Sequence, residues 1–447
     1  VRALPEFGDL GRQRFALALQ ASHVTFEHGD ALAGDPQFGV GVRERIAHAV
    51  REAGALLASH VGFDEALPCD EEFALERCDG FARHSSNAPP AMSRQPLVSI
   101  VIPVYNRSAD TKSCLSALVA SGALALEPEV IVADDASTDD TADVVARFAF
   151  ARRLRNAYRL GFARTCNRAA SHAAGRYVVF LDNRTLVRFG WLDWLVATAE
   201  ERPQAGAVVS KVLWPEGKLA EAGLLLAREG TGHAYGAGDD PAAPRYNYVR
   251  AADGGAHAML VRRDAFYEAG GFSEYLASAR LCIHDFTFAL ADRGLTCFYQ
   301  PQSTVVRFDA TAHGSDDADD ASREHRARFL RRRRNALARR PPVADETTAR
   351  LHGSAHGVLI ADDRPYGPEV RAHLLARQAA GTHVAYAPLG GLLLPQRRDL
   401  QQEGIEVLYP YAGKTLEDVI AETRPFVRDF EIPGKRIERL ATARPAS

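Results

Sequence analysis

The chain has 447 residues, 46% of them hydrophobic and 25% charged, with a formal net charge of −3. That composition is globular, the length suits two or three domains of roughly 100–200 residues each, and the charge balance excludes a general polyanion partner. No run approaches the ~20 apolar residues of a membrane span. Residues 1–20 carry aspartate, glutamate and three arginines in place of a signal peptide's apolar core, so a cytoplasmic location is expected. The cysteines Cys69, Cys78, Cys114, Cys166, Cys282 and Cys297 form no C-x-x-C pair; they read as reduced thiols, with neither a zinc site nor a disulfide framework.

In chain order, residues 1–95 lack alternating strand patterns, and Val42–Ala58 repeats apolar residues at three-to-four spacing, as in an amphipathic helix. Ser85–Pro96 is a polar, proline-bearing linker. This part is read as a helical cap or docking segment. Val98–Pro103 and Glu129–Ala133 are short β-branched runs, and Lys112–Ala120 between them has Cys114, Leu115 and Leu118 at helical spacing. Together they form a βαβ unit of two buried strands and a crossover helix. In an open parallel sheet, ligands sit beyond the carboxyl ends of the strands, so Pro103, Tyr105, Asn106, Asp134 and Asp135 are expected to crowd one crevice. No G-x-G-x-x-G or G-K-[ST] follows either strand, which argues against a dinucleotide fold and a P-loop. The carboxylates suit a base or ribose instead.

Ala163–Ala174 reads as a helix and Tyr177–Leu181 as a third buried strand, ending at Asp182-Asn183-Arg184. Trp191–Ala199 is a helix expected to pack Trp191, Leu192, Trp194 and Leu195 on the sheet; Ala207–Leu213 is a further strand, and His233–Asn247 a polar loop. Arg323–Arg340 is a basic helix with Phe329, Leu330, Ala336 and Leu337 on one side. It reads either as a solvated face over a docking stripe or as a peripheral contact with the inner face of the plasma membrane, where each basic side chain contributes ~1 kcal/mol. Nucleic acid is not expected, because aromatic residues are not interleaved for stacking. Beyond Pro341-Pro342, strands and helices alternate every few residues in a second α/β unit.

The segments IVIPVYN and VADDASTDDT, with RLGFARTCNRAASHAAGRYVVFLDNRT, GWLDWL, YNYVRAAD, GGFSEYL and YQPQSTVV, resemble the family 2 glycosyltransferases over about Pro96–Pro342. The resemblance implies a GT-A nucleotide-diphospho-sugar transferase-like mixed sheet at 96–342. Ahead of it lies the helical segment 1–95, and behind it, at 343–447, a partial Rossmann-like unit similar to the first half of a GT-B domain. Tyr105, Asp134 and Asp135 would then hold the nucleoside, with Gly161, Asn167, Asp182 and Asn183 around the sugar-phosphate.

Against the family pattern, the carboxylate that normally holds a divalent manganese or magnesium is Arg184, and the histidine after the closing valines is Arg307. A cation beside one carboxylate and an arginine is repelled, so no tight metal site is expected. Arg184 reads either as a guanidinium that pairs with the diphosphate or as a mark of an eroded site. On the acceptor side Asp253 keeps the acidic position and His257 replaces an expected glycine. The position of the family's general base is Ile283, which leaves His284 and Asp285 as the nearest titratable groups.

Two functions follow. One is inverting transfer from a nucleotide-diphospho-sugar to a glycan or lipid-linked acceptor in bacterial surface polysaccharide assembly. The other is a pseudo-enzyme that binds or assembles without catalysis. A nucleotidyltransferase is disfavoured, since no G-x-G-T-R-like signature follows the first strand.

Overall fold

The computed structural model describes residues 95–439 apart from 309–319, 343–348, 409–422, 424–426, 432–437 and a few isolated positions, all in the second of two compact units, Ser93–Ser447. The helix expected at Val42–Ala58 and nearly all of the linker lie outside the described residues.

The first sheet begins with β1 (Val98–Val104), α1 (Ser108–Ala120), β2 (Glu129–Asp134), α2 (Thr141–Ala146), β3 (Ala151–Arg155), α3 (Phe162–Ser171) and β4 (Tyr177–Leu181). The unbroken apolar run of β1 follows from its central place: it pairs in parallel with β2 on one edge and β4 on the other, and all of it except Pro103 is buried. From β1 the chain steps outward through β2 to β3, then returns to add β4 on the opposite side. That reversal parts the loops after β1 and β4 and opens a crevice at their carboxyl ends.

The chain continues with β5 (Thr185–Val187), α4 (Trp191–Glu201), β6 (Ala205–Leu213), β7 (Leu219–Glu221), β8 (Leu224–Leu226), β9 (Gly232–Ala234), β10 (Arg250–Ala251), β11 (Ala258–Arg262), α5 (Arg263–Glu268), α6 (Ala279–Ala291) and β12 (Thr296–Arg307). The result is a ten-stranded mixed sheet of order β10-β12-β6-β11-β4-β1-β2-β3, with β5 on β12 and β7 on β6. β11 runs antiparallel to both its neighbours, β4 and β6. This is the GT-A arrangement implied by the motifs.

Each face of the sheet carries its own core. On one side α1 and α4 bury Cys114, Leu115, Leu118, Trp191, Leu192 and Leu195; on the other α3 and α6 bury Cys166, Ala169, Leu281 and Phe286. Trp194, expected to pack with its helical neighbours, is only partly buried. At about 100° per residue it falls at the border of the arc defined by Trp191, Leu192 and Leu195.

The basic segment forms α7 (Asp320–Arg332) and α8 (Arg334–Leu337). Its apolar stripe docks: Phe329 and Leu337 are buried in the core that includes α6, with Leu330 and Ala336 packed beside them. Arg333 turns inward and is buried, whereas Arg331, Arg332, Arg334 and Arg339 are exposed. No helix among the described residues is long and apolar enough to cross a membrane.

A second sheet contains β13 (Gly357–Asp362), α9 (Pro368–Ala379), β14 (His383–Pro388), α10 (Leu394–Glu403), β15 (Glu406–Val407), β16 (Val427–Glu431) and β17 (Glu438–Arg439). Its order is β15-β14-β13-β16-β17, parallel except for the β16–β17 pair. Val358, Ile360, Leu374, Val384, Leu400 and Ile405 form its core. Specific polar contacts seat it against the first sheet. Val249 N–H donates to the Gln401 carbonyl at 2.8 Å and Gln300 Nε2 to Gln402 Oε1 at 2.9 Å, and buried Arg350, in the segment between the two sheets, pairs with buried Glu406 at 3.1 Å.

Candidate functional site

At the end of β1 the backbone turns through Asn106 and Arg107, both at positive φ (55° and 61°). The turn is held from within. Asn106 N–H donates to Ser137 Oγ and Asn106 Oδ1 accepts from Thr138 N–H, each at 2.8 Å. Asp134 Oδ1 accepts from Ser137 N–H at 2.8 Å, and Arg153 lies 3.6 Å from its other oxygen. Asn106 and Asp134, expected to contact the donor, therefore shape the two strand-end loops and do not line the crevice.

Asp135 does line it, but its oxygens are engaged. It accepts from Leu160 N–H at 2.6 Å, Gly161 N–H at 2.9 Å and Asn156 Nδ2 at 2.8 Å. Burial alone would raise its pKa; the hydrogen bonds outweigh burial and hold the carboxyl below its ordinary value. The carboxylate thus draws the 159–161 loop over the crevice, with Gly161 at φ 82°, a backbone region that favours glycine. Arg159 lies with its guanidinium carbon 4.0 Å from the centre of the half-open Tyr105 ring, a cation–π stack at the mouth. Asn167, expected near the sugar-phosphate, instead pins the Gly270-Gly271 turn by bonding both the N–H and the carbonyl of Phe272 at 2.9 Å.

At the end of β4 four groups form a chain. Asp182 Oδ1 accepts from Arg184 N–H and Nε, each at 3.0 Å; Oδ2 accepts from Arg184 Nη2 at 2.9 Å and faces His257 Nδ1 at 3.2 Å. His257 Nε2 lies 3.1 Å from Arg307 Nη1. A guanidinium only donates, so Nε2 is the acceptor and Nδ1 carries the proton given to Asp182. Burial would raise the Asp182 pKa, yet His257 and Arg184 together hold it well below the usual carboxylate range. Asn183 Nδ2 donates to Thr111 Oγ1 at 3.1 Å and lines the crevice beside them.

These residues do not fit a divalent cation. Four donors occupy the two oxygens of Asp182, and the described residues contain no group of three His, Cys, Asp or Glu side chains able to hold one.

The crevice is a cavity of about 460 Å³, within the usual range for a small-molecule site. Pro103, Tyr105, Asp135, Gly161, Asp182, Asn183, Arg184 and Arg307 line it as the sequence suggests, and Arg107, Arg159, Arg280, Thr165, Phe272 and His257 join them. Five arginines thus face two carboxylates. Arg280 precedes Ile283 by three residues on α6, a helical spacing that signals a shared face once the helix start is known. Arg159 carries no such local signal, because the hydrogen bonds to Asp135 bring it in.

On the acceptor side the expectations require correction. Ile283 lines the crevice, and neither His284 nor Asp285 does. His284 is fully buried, its Nδ1 3.2 Å from the Asp253 carbonyl, with burial pushing its pKa down to about 4. Asp285 accepts from Arg333 Nε at 2.6 Å and from the Ser273 hydroxyl. Asp253 is equally committed: Arg340 at 2.6 Å, His352 at 3.0 Å and Leu226 N–H at 2.8 Å surround its carboxylate. Burial opposes these contacts, but His352 and Arg340 bring its pKa to about 2. Helix rotation explains the result, since residues adjacent to Ile283 point about 100° and 200° away from it.

Residues 99–269, from β1 through α5, match the model of the Glycosyl transferase family 2. The O-antigen biosynthesis protein RfbC of Myxococcus xanthus is 24% identical over 63% of this chain and 23% of its own length. Validoxylamine A glucosyltransferase of Streptomyces hygroscopicus subsp. jinggangensis is 37% identical over 28% of this chain and 29% of its own. A solved mannosyltransferase of Pyrobaculum calidifontis, in complex with GDP-Man and Mn2+, aligns with TM-score 0.38 at 20% identity, covering 74% of this chain and 90% of that one. The chain spans about a quarter of the length of the first two curated relatives it matches, at 23% and 27%.

Proposed function

We propose that the crevice binds a nucleotide-diphospho-sugar and that the protein transfers its sugar, with inversion, to a glycan or lipid-linked acceptor in bacterial surface polysaccharide assembly. The observation that carries this reading is the cavity at the β1–β4 reversal, walled by Tyr105 and by five arginines, of which Arg159 stacks on the Tyr105 ring. Aromatic surface suits a base, and clustered guanidinia suit a diphosphate. The match of residues 99–269 to the Glycosyl transferase family 2 model supports the same class of reaction. The exposed Arg331, Arg332, Arg334 and Arg339 would sit against the inner face of the plasma membrane, near a lipid-linked acceptor. The second sheet serves as a partial GT-B-like docking module in this reading.

A second reading has its own observation. Ile283 faces the crevice while Asp253 and Asp285 are closed off by Arg340 and Arg333, which suits a non-catalytic binder or assembly partner. Calorimetric titration of the full chain with uridine, guanosine and thymidine diphosphates tests the shared part. At least one should bind, and Asp135→Ala should weaken it about tenfold or more by releasing the 159–161 loop; unchanged affinity in that variant moves the ligand elsewhere. Release of sugar from the matching nucleotide sugar, or its transfer, separates enzyme from binder.

A further inference from the structure

We propose that the crevice holds a diphosphate without any divalent cation, with Arg184 and Arg307, braced on Asp182 and His257, supplying the positive charge that the metal would provide. The inference rests on the nucleotide reading above and adds how the diphosphate is met. Three observations lead to it.

Asp182 has no acceptor capacity left, since each of its oxygens already takes two donors. A cation placed there would have to break a bidentate guanidinium pair and stand within a few ångströms of the displaced charge. The bracing is also built and buried. Arg307 is 4% exposed and His257 7%, and the imidazole links the Asp182 carboxylate to the Arg307 guanidinium in one continuous chain. Such bracing fixes the position of the charge before a ligand arrives. Finally, five arginines line the cavity with Asp135 and Asp182; counting Asp110, which pairs with Arg107 at 3.4 Å, the arginine and aspartate charges sum to 5 − 3 = +2, a surplus of the sign that a diphosphate requires. Arg184 and Arg307 enter the sheet from opposite elements, the loop after β4 and the end of β12, so they converge on one place only in the folded chain.

The test is titration of the full chain with nucleoside diphosphates and monophosphates, in chelator and in excess manganese, for the wild type and Arg184→Gln. Arg184 is the decisive position because its side chain is 25% exposed and it lies between β4 and β5, outside both strands; Arg184→Gln and Arg307→Gln are each checked for an unchanged circular dichroism spectrum. The expected result is a diphosphate affinity that agrees within about twofold between chelator and manganese. Each glutamine variant should then lose about tenfold or more for the diphosphate, and less for the monophosphate. Binding that requires manganese overturns the proposal and leaves the nucleotide reading standing. So does an Arg184→Gln variant whose diphosphate affinity is flat or rises with manganese. No binding of any nucleotide, with or without the metal, overturns both.

Discussion

His284 shows how a titratable side chain can be next to the right position and still be unavailable. It shares no wall with the crevice; its ring lies against Gly232, beneath the Asp253 carbonyl, in surroundings that include Arg280 and Arg340. Its folded pKa of about 4 lies below the ordinary histidine value of 6.5. The unfolded chain therefore takes up the proton first as pH falls. Stability from this group is complete above about pH 6.5 and is lost as pH drops through about 4. The size of the effect is about 3 kcal/mol for a shift of this order. Denaturant midpoints measured from pH 7 to 4 should fall steeply in the wild type and less in His284→Phe, which keeps the ring's bulk and cannot be protonated. Parallel curves would show that the imidazole is already charged or exposed. The same placement predicts that His284→Phe leaves nucleotide affinity within about twofold, because no atom of the ring reaches the cavity.

The elements assign the arginines of α7 and α8 two different duties. Arg333 is buried and reaches Asp285 at 2.6 Å and Asp292 at 2.8 Å, tying the basic segment to α6. Removing one partner of a buried pair leaves the other charge unmatched, at a cost of about 3–5 kcal/mol. Arg333→Ala should therefore lower the thermal midpoint markedly, whereas Arg331→Ala, on the exposed face, should leave it within about a degree or two. Equal effects at the two positions would contradict the inward placement of Arg333. A local motif also recurs between elements. At the end of β13, Arg364 grips Asp362 through Nε at 2.9 Å and Nη2 at 2.7 Å, as Arg184 grips Asp182 at the end of β4. An aspartate followed two residues later by arginine closes on itself at a strand end. What distinguishes the first pair is the company of His257 and Arg307, which no local pattern supplies.

Taken together, the two sheets of residues 93–447 belong to one compact unit, and the joint between them is polar and specific. Arg350, in the segment that links the two sheets, pairs with Glu406 of β15, both buried, and His383 of β14 adds a second partner to the carboxylate at 3.0 Å. Burial by itself would raise the Glu406 pKa, but Arg350 and His383 lower it. Glu406→Gln should accordingly destabilise the protein by a few kcal/mol and shift one cooperative transition that includes both sheets, followed by calorimetry. A separate early transition confined to the second sheet would show that the joint does not couple them.

Much of the architecture was legible from the chain alone, for a physical reason. Val98–Val104, Glu129–Asp134 and Tyr177–Leu181 are buried on both faces, so their composition is continuous and β-branched, and the carboxyl ends of such strands are where a crevice must open. Pro103, Tyr105, Asp182, Asn183, Arg184 and Arg307, named by that argument and by motif resemblance, line the crevice. Tertiary structure decided what each polar group does once there. Asn106, Asp134 and Asn167 spend their hydrogen bonds on loops. Asp253 and Asp285 meet arginines that arrive from 87 residues (340 − 253) and 48 residues (333 − 285) further along the chain. Side-chain charge is written in the sequence, but whether a charge faces a ligand or another side chain depends on which distant segment packs against it. That choice is made by the folded chain's need to pair its buried charges.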